Sequence, residues 1–174
     1  MSLTNVFAEL KAARDAGVIG SYAVGGAIAA AVYLEPAATE DVDVFAALVR
    51  QSGSQLVTLE PLYSFFQTRG ATVEGERLAI GGWLVQLLAP PSPLVEDAVA
   101  HAVELEVDGV RVPVFTQEHL AAIAVETGRL KDKMRVKRFL ESPTLDHASF
   151  TALLGRFGLT DRFRALQAFL EENP

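Results

Sequence analysis

The 174-residue sequence has no cysteine, one tryptophan, two methionines and three histidines. Without thiols the chain can form no disulfide, present no thiolate nucleophile and build no cysteine-ligated zinc site of the finger or ribbon type. His101, His119 and His147 are well separated in sequence. A histidine-rich metal site is therefore not expected, and each is assigned a structural or exposed role. Basic charge is also scarce: 15 Lys and Arg stand against 22 Asp and Glu, a formal net charge of -7. That balance argues against a surface that tracks nucleic-acid phosphates throughout. No long, strongly apolar run is present. Residues 16 to 34 carry no charge but are rich in Ala and Gly, too weakly apolar for a span of about 20 residues. The first residues lack the basic start and apolar stretch of a signal peptide, so a cytoplasmic protein with no membrane partner is expected.

What is present is a globular composition, 50% hydrophobic and 21% charged, in a chain long enough for roughly one domain. Leu3, Val6, Phe7, Leu10 and Ala13 recur at helical spacing and stop near Gly17. Val18 to Val24 is rich in β-formers, Gly25-Gly26 interrupts it, and Ala27 to Leu34 is a helical run ending before Pro36. From Asp41 the chain alternates at period two, with Asp41 and Asp43 on one face and Val42 and Val44 on the other. A helix is expected over Leu59 to Thr68, strands over Val73 to Ile80, and a central strand over the almost wholly apolar Trp83 to Leu88. A helix from Leu94 to Val103 follows, then a hairpin about Asp108-Gly109 between Glu104 and Val114. Beyond Thr116 every signal is helical. The expected architecture is α+β over residues 1–115, followed by a helical portion over residues 116–174, together one compact unit.

The pattern richest in chemistry is Gly25-Gly26 at a strand-to-helix turn followed by Asp41-Val42-Asp43 on the next strand. Glycines let backbone amides approach phosphate, and the helix start adds positive potential. Two carboxylates on one strand face can together hold Mg²⁺ or Mn²⁺ bridging a nucleoside triphosphate. Other readings stay open: the glycines as a tight turn with close helix packing, the aspartates as the solvent face of an edge strand, Thr39 as a turn residue rather than a ligand contact. The second concentration of charge is Arg129 to Arg138, which holds six of the 15 basic residues. Arg129, Lys131 and Lys133 either reach a triphosphate or an RNA backbone, or line a solvated helix face bordered by Leu130 and Met134 on its packed side. Lys131-Asp132 can also be an internal pair.

Val24-Gly25-Gly26 with Asp41-Val42-Asp43 resembles the DNA polymerase beta-type nucleotidyltransferase superfamily. Thr39 to Asp43 and Gly128-Arg129-Leu130-Lys131-Asp132 look most like the small bacterial abortive-infection and minimal nucleotidyltransferases, some of them partners in toxin-antitoxin systems. The resemblance, over about residues 20 to 140, implies a mixed β-sheet with flanking helices. It also implies Mg²⁺ or Mn²⁺ on Asp41 and Asp43, and an NTP bound near Gly25, Gly26, Thr39, Arg129, Lys131 and Lys133. The activity implied is transfer of a nucleoside monophosphate to a hydroxyl of RNA, protein or a small molecule.

Three departures accompany it. Fourteen residues separate Gly26 from Asp41, Ala124 stands where related toxins carry a lysine, and Gln86 takes the place of a third carboxylate, the base. An amide cannot accept that proton, so a degenerate nucleotide- or partner-binding protein is the alternative expectation. Glu74, Glu76 and Glu104 are the carboxylates to examine as substitutes.

Overall fold

The computed structural model describes residues 3–36, 38–48 and 60–172. The elements run α1 (Thr4–Asp15), β1 (Ile19–Val24), α2 (Gly26–Tyr33), β2 (Asp41–Leu48), α3 (Glu60–Thr68), β3 (Thr72–Glu74), β4 (Arg77–Ile80), β5 (Trp83–Leu88), α4 (Pro93–Ala100), β6 (Val103–Val107), β7 (Val110–Val114), α5 (Gln117–Thr127), α6 (Leu130–Leu140), α7 (His147–Arg156) and α8 (Thr160–Glu172). The seven strands form one mixed sheet in the order β3-β4-β5-β2-β1-β7-β6.

Local chemistry accounts for most boundaries. The β6–β7 hairpin turns through Asp108 and Gly109, both at positive φ (52° and 76°), the backbone that a two-residue Asp-Gly turn requires. An Asp108 carboxylate oxygen accepts the Leu3 amide at 2.7 Å, tying the start of α1 to this turn. Ser92 accepts the Val95 amide and Pro93 fills the first helical position of α4, the usual preference there. That helix ends at Ala100, short of the expected Val103, because His101 leaves helical geometry and Val103 opens β6. The strand expected from Val18 begins at Ile19, and β2 runs on to Leu48. Leu59, expected to begin α3, lies outside the described residues.

The core is sheet plus helix faces. Val42, Val44 and Ala46 on β2 are fully buried while Asp41, Asp43 and Phe45 between them are partly exposed, the two-residue alternation anticipated from sequence. From α1, Val6, Phe7 and Leu10 enter the same core, and from α5, Leu120, Ala121, Ala124 and Val125. α5 packs on α2 and α4 and is flanked by α6, α7 and α8. Among the described residues no helix is long and apolar enough to cross a membrane.

Candidate active site

β2 carries the aspartates at the middle of the sheet, antiparallel to β1 and parallel to β5. Val24 pairs with Val44, so the turn leaving β1 arrives beside Asp43, and the Gly25 amide donates to the Asp43 carbonyl at 2.9 Å. Both glycines are there for space. A Cβ on Gly25 would lie 2.7 Å from the Phe45 ring and 2.9 Å from that of Phe115. On Gly26, at φ +60°, it would lie 2.0 Å from a carboxylate oxygen of Asp43. The nearest neighbour of Gly26 is thus the acidic side chain itself. Gly26→Ala forces a side chain into left-handed backbone and into that carboxylate. A stability loss of roughly 1–3 kcal/mol is expected, measurable by urea denaturation.

Asp43 is Cα partner to Gln86 across the parallel β2–β5 ladder, and Asp41 to Leu84. Adjacent partners project to the same face, so Gln86 stands directly beside Asp43. Asp41 accepts from Arg77 on β4 at 3.1 Å, with both side chains about 40% exposed (39% and 41%). The Thr39 hydroxyl lies 3.2 Å from the Asp41 carbonyl, to which it donates, and 3.4 Å from the Asp41 amide, from which it accepts. Its interactions within the structure are those of a turn residue.

The cationic wall comes from the α5–α6 junction. Thr116 caps α5, and Gly128, left-handed at φ 66°, stops it, the usual helix ending. This sharp stop sets Thr127, Arg129 and Asp132 together. Asp132, 1% exposed, accepts from the Thr127 hydroxyl at 2.9 Å and from Arg129 at 2.5 Å, with Arg135 at 3.8 Å. Burial alone would push the Asp132 carboxyl up, but the bonds from Arg129 and Thr127 outweigh it and hold it below its ordinary range. α6 is also anchored by Arg138 donating to the Glu35 carbonyl at 2.8 Å.

These contacts revise the expected facing of α6. Its buried positions are Asp132, Val136 and Phe139, whereas Leu130 and Met134 are exposed (66% and 44%). The internal partner of Asp132 is Arg129, not Lys131. Lys133 does not line the cleft: its ammonium sits 4.0 Å from the centre of the Phe169 ring of α8.

A folded-state group held low contributes stability above its unfolded pKa, near 3.8, and loses it as pH falls through the folded value. Asp132→Asn is therefore expected to cost about 1–3 kcal/mol at neutral pH. The deficit should shrink toward about pH 3, as checked by urea titrations at both pH values.

The cleft between these walls is lined by Gly26, Asp43, Phe45, Phe115, Ile123, Ala124, Glu126, Thr127, Arg129, Asp132 and Arg135. Phe45 and Phe115 stack at 5.2 Å between ring centres on its apolar side. Asp43 is pushed up by burial first and by the Asp41 charge second, opposed by Lys131, Arg135 and Arg129. Of the residues expected at the site, Gly26, Asp43 and Arg129 line this cleft; Gly25, Asp41 and Gln86 adjoin Asp43 along and across the strands, and Lys131 is near enough for its charge to act on Asp43. Glu74, Glu76 and Glu104 do not line the cleft. Arg77, Arg135 and the phenylalanine pair are neighbours that sequence reasoning did not name. Arg135 was within reach of it, one helical turn beyond Lys131.

No protein-family model matches the chain, and no curated protein is similar to it in sequence. Solved structures do match. The solution structure of the antibiotic-resistance factor ANT(2'')-Ia is 16% identical, covering 99% of this chain and 100% of that one with a TM-score of 0.55. A crystal structure of an antigenic nucleotidyltransferase-like protein from Paracoccidioides brasiliensis is 16% identical over 96% of this chain and 93% of its own, TM-score 0.58. ANT(2'')-Ia in complex with adenylyl-2''-tobramycin is 14% identical, 91% and 97% covered, TM-score 0.50. The chain therefore has the nucleotidyltransferase-like fold.

Proposed function

We propose that this protein binds a divalent metal–NTP complex in the β2–α6 cleft and transfers the nucleoside monophosphate to a hydroxyl acceptor, slowly for want of a base. The observation that carries this reading is the seating of Asp43 against Gly26 at the start of α2, with Asp41 on the same strand face. The donor set suits Mg²⁺ or Mn²⁺: two carboxylates, all oxygen, one of them held high by burial and by its neighbour's charge, a double penalty that a bound cation removes. A divalent ion there supplies charge neutralisation on the triphosphate and on departing pyrophosphate.

The chain's own residues divide the remaining work. Gly25 and Gly26 keep the turn free of side chains where phosphate approaches the first turn of α2. Arg129, Lys131 and Arg135 oppose the phosphate charge from α6. Phe45 and Phe115 offer an apolar wall against which a base or an acceptor ring packs. Asp41 must exchange Arg77 for the metal, and the half-exposed guanidinium is free to swing away. The acceptor proton finds no carboxylate at Gln86, which can orient a hydroxyl but cannot take its proton.

The adenylylated tobramycin bound by ANT(2'')-Ia makes a hydroxyl-bearing small molecule one acceptor class to assay, beside RNA and protein hydroxyls. The second reading, binding without turnover as in a partner or defence protein, is favoured by two observations: Gln86 beside Asp43 and Arg77 on Asp41.

Thermal denaturation with each of the four NTPs, with and without Mg²⁺, tests the proposal. A rise in Tm that needs both is expected. No rise with any NTP contradicts it, and incorporation of nucleotide labelled on the α-phosphate then separates transfer from binding.

A further inference from the structure

Away from this cleft, Asp97 and His101 of the α4 end meet His119 of α5. One ligating atom from each residue lies within 4.8 Å of the other two. His119 Nε2 is 3.1 Å from an Asp97 oxygen, and both side chains are over nine-tenths buried. The other ring nitrogen, Nδ1, is 2.8 Å from the Thr116 hydroxyl, so the ring is gripped at both ends. His101 follows Asp97 by one helical turn and is 60% exposed; its Nδ1 lies 2.9 Å from the Asp97 backbone carbonyl and 3.4 Å from the second carboxylate oxygen. Arg156 of α7 also contacts that second oxygen.

We propose that Asp97, His101 and His119 form a Zn²⁺ site, separate from the Asp41–Asp43 pair, that pins α4 to α5. The donor set carries the choice of ion: two imidazoles and one carboxylate suit zinc, whereas the all-oxygen aspartate pair suits Mg²⁺ or Mn²⁺. Three protein ligands leave the fourth tetrahedral position to water.

The protons balance. A carboxylate only accepts, so with no metal bound the His119 nitrogen facing Asp97, Nε2, carries a proton, and in the neutral ring the Thr116 hydroxyl donates to Nδ1. On binding, Nε2 gives its lone pair to zinc and the ring proton resides on Nδ1, donated to the Thr116 oxygen, a second partner of the kind that orients metal-bound histidines. Asp97 turns its His119-facing oxygen to the ion and keeps Arg156 on the other. His101, the exposed ligand, swings in last and leaves the entry open.

The test uses the full chain carrying Asp41→Asn and Asp43→Asn, so that the carboxylate pair contributes nothing. Isothermal titration with Zn²⁺ in excess Mg²⁺ should give one ion per chain and a raised Tm. Co²⁺ should give the intense visible absorption of a four-coordinate ion. His101→Ala, at an exposed position, should leave the metal-free Tm little changed, weaken Zn²⁺ by at least about tenfold and remove the Co²⁺ band. The absence of stoichiometric Zn²⁺ binding overturns the proposal, as does equal Zn²⁺ affinity in the His101→Ala protein. Failure here leaves the nucleotide site untouched, since that site has been removed beforehand.

Discussion

Replacing Asp41 and Asp43 together by Asn is expected to abolish Mg²⁺-dependent NTP binding in a protein that still folds. Charge-assisted contacts of this kind are worth about 1.5–3 kcal/mol each, so losing two predicts a fall of roughly 10²- to 10⁴-fold in affinity. Stability should move the other way. Asp43 is held above its ordinary value by burial and by Asp41, so its protonated form is the one favoured by folding. The stability this confers is complete below the unfolded pKa near 3.8 and is lost as pH rises through the folded value. At neutral pH without metal the charged Asp43 is thus a cost, which Asn removes. The variant should melt higher than the parent at neutral pH and lose that advantage in acid. Titration calorimetry with MgATP and its three counterparts checks the first effect, and metal-free melting curves across pH check the second. Unchanged nucleotide affinity would remove the aspartates from the site.

The second large effect concerns the position beside Asp43. Gln86→Asp is expected to raise nucleotidyl transfer, or at least pyrophosphate release, by as much as about 10² to 10⁴, the usual contribution of a general base. The β2–β5 register makes the substitution geometrically direct, since Gln86 is already the cross-strand partner of Asp43. A third carboxylate also adds repulsion, so the metal-free variant should be less stable than the parent and bind Mg²⁺ more tightly. Pyrophosphate release and Mg²⁺ affinity measured on the same preparation separate the outcomes. Brisk transfer by the parent contradicts the account of Gln86. So does tighter Mg²⁺ in the variant with no gain in rate.

Much of this arrangement is legible along the chain, because local rules set it. Alternation put Asp41 and Asp43 on one face, Asp108-Gly109 marked a hairpin, and the apolar run Trp83 to Leu88 marked an inner strand. The observed mixed α and β architecture follows from such signals. What escaped depends on residues distant in sequence. The facing of α6 could not be inferred from apolar spacing, because its buried stripe contains Asp132, acceptable inside only with Arg129 and Thr127 around it. Arg77 reaches Asp41 across 36 positions, and Asp97 meets His119 across 22. Gly26 was recognisable as a turn residue, but that its missing side chain makes room for Asp43 is a tertiary fact. Lys133 shares a helix with Lys131, yet the Phe169 ring of α8 draws it to another face.

The most direct measurement is anomalous diffraction from crystals grown with Mn²⁺ and an NTP analogue that cannot be cleaved between its α- and β-phosphates. The account predicts a manganese peak between the Asp41 and Asp43 carboxylates, Arg77 displaced from Asp41, and the triphosphate lying between Gly26 and the Arg129–Lys131 end of α6. Nucleotide bound elsewhere, or a nucleotide-bearing cleft with no manganese at the aspartates and Arg77 still on Asp41, would contradict it.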